Sequence, residues 1–434
     1  MSALSYLYAE NFRGFSKAVI PIEGVNFLVG ENSTGKTSIL ALLNLLSSHT
    51  FWFNLQFNGP DHEFGGFRDI MSTRAEEDFF TIGSIQRVQS KQENVDGWFG
   101  ILASFRESEG LPVLASIAQI KGDKIICLRP HGESFKFLKV DLPSDFSIKD
   151  AEQALSFFEE QANRPLEEYS EMPQKLPPGL PPIHLLSIIE SVITSEEKKS
   201  RFANAFLPGV IRELIWLAPI RTRPRRTYDG YGKEFNPEGE HTPYELRKRL
   251  KSEEKAKAFR SALEKFGKSS GLFRKVTVHN LGREASAPFE LLITLAGTPL
   301  RINSVGYGVS QVLPVIVEML VQPKNSWFAI QQPEVHLHPK AQAALGDLLF
   351  QTAETEQKRF VIETHSDFMI DRFRQNMREK SAHKVKAQVL FLERSGEGNK
   401  LTVIPIQPNG EYSTEQPDTF RDFFLKEQLS ILGL

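Results

Sequence analysis

The sequence predicts an α/β fold on a mixed sheet, joined by an antiparallel β-rich part and a helical insertion. Three observations carry this. The apolar run Val25 to Val29 leads into Gly30-Glu31-Asn32-Ser33-Thr34-Gly35-Lys36-Thr37-Ser38 and then into the helical run Ile39 to Leu46. Two more apolar runs, Trp327 to Ile330 and Phe360 to Ile362, each end in a polar cluster, as strands buried on both faces do. From Asp78 to Val140, short β-rich runs alternate with turn signals such as Arg129-Pro130-His131-Gly132.

The glycine-framed segment is a site for an anion. It matches G-x-x-x-x-G-K-[ST] between a strand and a helix start, the setting in which that pattern means a phosphate-binding loop. Gly30 and Gly35 allow backbone angles and a close approach that a Cβ would block, so successive N–H groups can turn toward phosphate oxygens. A helix starting near Gly35 adds its positive end, Lys36 reaches the outer phosphates, and the Thr37 hydroxyl holds Mg²⁺.

Composition sets the limits. With 434 residues, 40% hydrophobic, and a formal charge of −2, the chain can bury about two or three cores and is no global polycation. The single cysteine, Cys127, lies in the run Ile125-Ile126-Cys127-Leu128 and reads as a buried strand thiol, which excludes a disulfide scaffold and fits a reducing compartment. The start Met1-Ser2-Ala3-Leu4 has no basic segment followed by an apolar one, and no apolar run is long enough to span a bilayer, so a cytoplasmic protein is expected.

Along the chain, Leu4 to Asn11 and Lys17 to Ile22 read as strands joined by Phe12-Arg13-Gly14-Phe15, and Phe64 to Asp69 as a loop. Lys149 to Glu171 has helical spacing, Gln174 to Pro182 is a Pro-rich hinge, and Ile183 to Trp216 is again mostly helical. Tyr244 to Phe266 is a charged amphipathic helix with Phe259, Leu263 and Phe266 on one face. Strands resume at Lys275 to His279 and Phe289 to Leu295; Val389 to Glu393 and Leu401 to Ile406 read as closing strands before an amphipathic tail from Phe420 to Leu434. The expected division is 1–145, 146–272 as the helical insertion, and 273–434.

In chain order, the phosphate loop, a Gly-x-Gly-x-Ser-Gln turn at Gly306 to Gln311, the strand ending Gln331-Gln332-Pro333-Glu334 and the strand ending Glu363-Thr364-His365-Ser366 match the ATP-binding-cassette type of P-loop NTPase. The stretches Tyr307 to Pro314, Gln332 to Pro339 and Glu363 to Ser366 resemble those of the OLD/RecF/SMC-like ATPases, most of all the compact branch of bacterial anti-phage operons such as Septu, and Ala218 to Pro224 resembles a segment of that branch. The resemblance implies ATP and Mg²⁺ as ligands and a homodimer that sandwiches ATP. It assigns phosphates and Mg²⁺ to Lys36 and Thr37 within the loop Gly30, Asn32, Ser33, Thr34, Gly35 and Ser38. Arg13 would lie near the nucleotide, and His365 would sense the γ-phosphate. His336 and His338 would stand at the subunit interface, with Gly306, Gly308 and Ser310 meeting the ATP of the opposite subunit.

Two departures bear on activity. The signature serine is replaced by Gly306-Tyr307-Gly308, leaving Ser304 or Ser310 as substitutes. The acidic metal ligand usual at the position of Gln331 is an amide, as is Gln332, which is often Gln in such relatives. An amide offers Mg²⁺ an oxygen but no charge and cannot act as a base, and base catalysis alone is worth about 10²–10⁴-fold. Firm ATP binding with slow or absent turnover is expected, with Glu334 and Glu363 as substitutes; Gln331 reads as a natural loss or an introduced Glu→Gln change.

His336 and His338 alternate along one segment, but no Cys or Asp at ligand spacing supports a transition-metal site there. Three basic clusters, around Arg221 to Arg226, Arg247 to Arg260 and Arg372 to Lys386, offer either a DNA or RNA surface or solvated faces balanced by glutamates. After Ser366 no Asp-x-Asp follows, so no Toprim nuclease is expected in this chain. The reading is a nucleotide-gated sensor or scaffold of an anti-phage complex that holds a separate effector such as an HNH or Toprim nuclease, the alternative being a RecF/SMC-like DNA repair ATPase.

Overall fold

The computed structural model describes residues 4–59, 62–90, 95–122, 124–132, 134–141, 150–171, 181–184, 186, 214–251, 253–284, 286–380, 382–396 and 398–423. The chain opens with β1 (Leu4–Phe12), β2 (Phe15–Ile22) and β3 (Val25–Gly30), followed by α1 (Lys36–Ser47), α2 (His49–Asn54), β4 (Asn58–Gly59), β5 (His62–Glu63) and α3 (Phe67–Ile70). Five long strands come next: β6 (Phe79–Ser90), β7 (Val95–Ser108), β8 (Leu111–Gly122), β9 (Lys124–His131) and β10 (Ser134–Asp141), with α4 (Ala151–Ala162) and β11 (Ser170–Glu171) behind them. Then follow β12 (Leu214–Leu217), α5 (Thr242–Leu250), α6 (Glu253–Ser270), β13 (Lys275–Asn280), β14 (Phe289–Thr294), β15 (Leu300–Arg301) and α7 (Tyr307–Val321). The last part alternates β16 (Trp327–Gln331), α8 (Pro339–Glu356), β17 (Arg359–Glu363) and α9 (Asp367–Glu379), and closes with β18 (Ala387–Ser395) and β19 (Gly398–Ile406).

Two compact units divide these elements. The first comprises Met1–Glu23, Glu31–Glu213 and Leu392–Leu401; the second comprises Gly24–Gly30, Leu214–Phe391 and Thr402–Leu434.

The first unit is built on an eight-stranded sheet ordered β11-β10-β9-β8-β7-β6-β1-β2, an antiparallel arrangement. Short connections join β1 to β2 and β6 through β10 in succession, whereas β6 returns to pair with β1 and β11 reaches β10 only after α4. Helix α4 covers one face, burying Ala151, Ala154, Leu155 and Phe158 among Ile120, Ile125 and Cys127; Cys127 is a fully buried strand thiol. Phe51, Phe57, Phe80 and Phe105 pack edge to face and stacked in a second cluster. Such aromatic pairs each add about 0.5–1.5 kcal/mol beyond their buried area.

The second unit carries a six-stranded sheet ordered β12-β16-β17-β3-β18-β19, in which β12, β16, β17 and β3 run parallel. Parallel strands are buried on both faces, which is why Val25, Phe27, Val29, Phe328, Ile330, Phe360 and Ile362 all lie in one core. Buried polar groups fix the register: Asn26 Nδ2 donates to the Phe360 carbonyl at 3.0 Å, and Gln388 Nε2 donates to Asn26 Oδ1 at 2.8 Å. The Phe27 ring meets Phe373 of α9 edge-on at 5.3 Å.

Helix spacing misread two places. Leu214 to Trp216 is strand, because this apolar run pairs in parallel with Trp327 to Ala329, a partner no local pattern reveals. The stretch from Tyr244 to Phe266 is two helices, α5 and α6, with Leu263 and Phe266 buried as expected. The hinge at 174–180, the span 187–213 and the tail at 424–434 lie outside the described residues. Among the described residues no helix is long and apolar enough to cross a membrane.

A carboxyl pair secures α4 in the first unit. Tyr8 Oη donates to Glu159 Oε1 at 3.1 Å, and Lys17 Nζ donates to Glu159 Oε2 at 2.8 Å. Burial, followed by the hydrogen bond shared with Glu159, pushes the Glu10 carboxyl up to about 7. The folded value lies above the reference value of 4.5, so folding favours the protonated form, and its contribution is lost as pH rises through about 7. Glu10→Gln supplies a neutral donor beside Glu159. It is expected to raise the melting temperature at pH 8 and to leave it unchanged at pH 5; a pH-independent difference would count against the shared proton.

Candidate functional site

In the first unit, α1 begins at Lys36 directly after Gly35, which is left-handed at φ 97°. A Cβ on Gly35 would also lie 2.7 Å from Phe15 Cζ and 2.8 Å from Asn399 Nδ2, so both conformation and packing demand glycine there. Ser33, at φ 62°, turns left-handed as well. Lys36 is only 3% exposed, and its Nζ arches over the loop to donate to the Glu31 carbonyl at 2.6 Å, which also accepts from Thr34 Oγ1 at 2.8 Å. Asn32, Ser33 and Thr37 are exposed and Ser38 half-buried. The first turn of α1 carries no acidic side chain, leaving the positive helix end uncompensated. The whole arrangement is that of a backbone cradle for an anion.

The turn carrying Arg13 belongs beside this loop, since Phe15 packs against Gly35 and a Cβ on Gly14 would overlap the Asn399 amide. Arg13 itself stacks its guanidinium 4.7 Å from the centre of the Phe64 ring, and burial draws its pKa below the usual range. Asn399 was not legible as a site residue: it sits more than three hundred positions downstream, at the start of β19, in no motif.

In the second unit, β16, β17 and β3 end side by side, with Gln331 opposite Glu363 and Glu363 opposite Leu28, two residues before the chain leaves the sheet at Gly30. In open α/β sheets ligands bind outside such carboxyl ends. Gln331 is 7% exposed, and its Nε2 donates to Glu363 Oε2 at 3.2 Å. Gln332 follows in a left-handed conformation, φ 41°, with its N–H bonded to the Glu363 carbonyl at 2.8 Å. A non-glycine residue held there stores strain of about 1–3 kcal/mol, a feature that concentrates at functional sites.

Glu334 accepts the His365 backbone N–H at 2.7 Å, which leaves the His365 ring exposed at the turn between β17 and α9. Burial raises the Glu334 pKa, opposed by that bond and by the charge of Arg221. Arg221 is buried behind the strand end: its Nη2 donates to the Gln331 carbonyl at 3.0 Å, and burial pushes its pKa down to about 10. Its Nε and Nη1 make no hydrogen bond, and its charge acts on Glu334 without an ion pair between them among the described residues, whereas Arg223 is exposed. In the third basic cluster Arg372 pairs with Asp347, Arg374 with Asp371 and Lys380 with Glu354.

Gly306 caps α7 with extended backbone, and a Cβ there would meet nothing. Gly308 is glycine for a reason within the same chain, since its Cβ would lie 2.6 Å from the His336 carbonyl. Tyr307, 41% exposed, sets its ring edge-on to His336 at 4.9 Å. Ser310 turns its hydroxyl back to the Tyr307 carbonyl at 2.8 Å, and Ser304 is exposed. His338 caps α8, its Nδ1 accepting from the Ala341 N–H at 3.3 Å. Among the described residues no group of three or more His, Cys, Asp or Glu is placed to hold a metal.

A family model described as the AAA ATPase domain matches residues 3–174 and 188–370. Similar solved structures include an SmcHead bound to the C-winged helix domain of ScpA, 12% identical, covering 93% of this chain and 98% of that one at a TM-score of 0.41. The SMC head domain from Thermotoga maritima is 11% identical over 93% of this chain and 99% of that one, TM-score 0.39. An Smc head domain with an extended coiled coil, bound to the C-terminal domain of ScpA derived from Pyrococcus furiosus, is 13% identical over 100% and 99%, TM-score 0.40. No curated protein matches the chain. With a family match over most of its length, this chain belongs to the AAA ATPase domain family.

Proposed function

We propose that this chain is an ATP-binding subunit whose nucleotide state controls a separate effector, as in the compact anti-phage branch of the OLD/RecF/SMC-like ATPases. The observation that carries the reading is the loop from Gly30 to Lys36, with left-handed Ser33 and Gly35, a buried lysine reaching over it and an uncompensated helix start behind it. That geometry suits a triphosphate more than any other ligand class. Lys36 binds the outer phosphates, and the backbone of Asn32 to Ser38 cradles the rest.

Thr37 and Gln331 offer oxygen donors, the kind Mg²⁺ takes, and Glu363 adds the negative charge that the Gln331 amide lacks. Mg²⁺, when bound, offsets the charge of the triphosphate and polarises its terminal group. Glu363 is the substitute carboxylate rather than Glu334, because Glu363 stands directly against Gln331 whereas Glu334 accepts the His365 N–H. With no base at Gln331 or Gln332, water is left without an acceptor for its proton and turnover is slow. His365 reports the state of the terminal phosphate, and the exposed start of α7 at Gly306 faces the nucleotide of a second copy beside His338. The controlled effector is a separate protein such as an HNH or Toprim nuclease. A DNA-binding repair role is the second reading, favoured by Lys257, Arg260, Lys265 and Lys268 along one open concavity of α6.

Two measurements test the nucleotide reading. By calorimetry, Lys36→Ala is expected to weaken ATP binding about ten- to a hundredfold, the worth of a charged hydrogen-bond partner; equal affinity would place ATP elsewhere. Gln331→Glu sets two buried carboxylates against each other. Its melting temperature should fall below that of the wild type without Mg²⁺ and recover with it, while ATP turnover rises by about 10²-fold or more. Fast turnover by the unaltered chain would overturn the account of Gln331.

A further inference from the structure

The second unit holds a further concavity. It opens between the segment after β12 and the first turns of α7, with a cavity volume of about 40 Å³ behind a mouth open to solvent. Its wall is apolar and aromatic, formed by Tyr228, Tyr244, Leu291, Leu313 and Pro314. Tyr228 and Tyr244 are held rigid, the first stacked on Phe289 and the second bonded through its hydroxyl to the Asp229 carbonyl at 2.8 Å.

The mouth is cationic. Arg223, Arg225 and Lys233 line it against the single carboxylate of Glu240. Glu240 accepts from Lys233 and lies 3.6 Å from Arg225, so both of those charges are shared with it. Arg223 is exposed, with no ion pair among the described residues.

The wall also contains a polar atom without a partner. Thr242 is 3% exposed, and its Oγ1 makes no hydrogen bond. A Cβ on Gly239 would lie 3.2 Å from that oxygen and 2.5 Å from Pro314 Cγ, which places the hydroxyl on the cleft wall. Thr222 Oγ1, on the same wall, is likewise buried and unbonded. A buried hydroxyl left unpaired carries a desolvation cost that a ligand group would offset.

We propose that this cleft binds a small organic anion with one flat apolar ring: the ring lies between the tyrosines and α7, its polar edge meets Thr242, and its anionic group meets Arg223. The cleft adjoins residues of the nucleotide reading, since Ser310 lines it and Thr222 directly follows the arginine that holds the Gln331 carbonyl, but the tyrosines, Thr242 and Arg223 that bind the anion have no part in that reading.

Saturation-transfer NMR with phenyl phosphate tests this on the full chain carrying Lys36→Ala, so that the phosphate loop does not contribute. Saturable binding is expected, with benzyl alcohol and inorganic phosphate each binding about tenfold more weakly because each lacks one of the two recognised parts. Adding Arg223→Ala should weaken phenyl phosphate about tenfold and Thr242→Val about threefold, with the melting temperature of the free protein unchanged or raised. No transfer, or equal binding in both variants, would overturn the proposal.

Discussion

The parallel pairing of β16, β17 and β3 is the constraint on which the candidate site depends. Parallel strands cannot be joined by a tight turn, so each pairing requires an intervening helix, and the chain comes back to the same end of the sheet every time. Gln331, Glu363 and the exit at Gly30 therefore share one edge although Gly30 lies some three hundred residues before the other two. Asn26, Gln388 and the Phe360 carbonyl hold that register from inside the core, where a slip would leave buried polar groups unpaired.

At that edge the chemistry is set by a neutral side chain. An amide at Gln331 can donate to Glu363, so the two buried groups coexist without a cation or a shared proton. Behind them, Arg221 binds the Gln331 carbonyl and attracts Glu334, whose carboxylate in turn positions the turn that presents His365. The strained backbone at Gln332 is tolerated because its N–H is tied to the neighbouring strand.

Glycines in this chain serve two distinct ends. At Gly35 a left-handed angle and contact with Phe15 and Asn399 coincide, so that the loop is shaped by conformation and by packing together. At Gly308 the requirement is contact alone: the first turn of α7 lies against the His336 carbonyl, joining the glycine turn to the segment after β16.

Much of this was legible in the residues themselves. The glycine-framed turn before α1, the buried strands at 25–29, 327–330 and 360–362, and the antiparallel run after Asp78 were readable because local spacing and residue type act within one element. Not legible were the strand at Leu214 to Leu217, the burial of Arg221 and the nearness of Asn399 to Gly35, each of which depends on a partner remote along the chain. The sequence by itself determined which segments can bind phosphate or bury in a sheet, since those are properties of short-range sterics and hydrophobic period. Only the tertiary structure decided which carboxylate stands beside Gln331 and where an unpaired hydroxyl faces a cleft, because burial and electrostatic partnership arise from chain segments meeting in space.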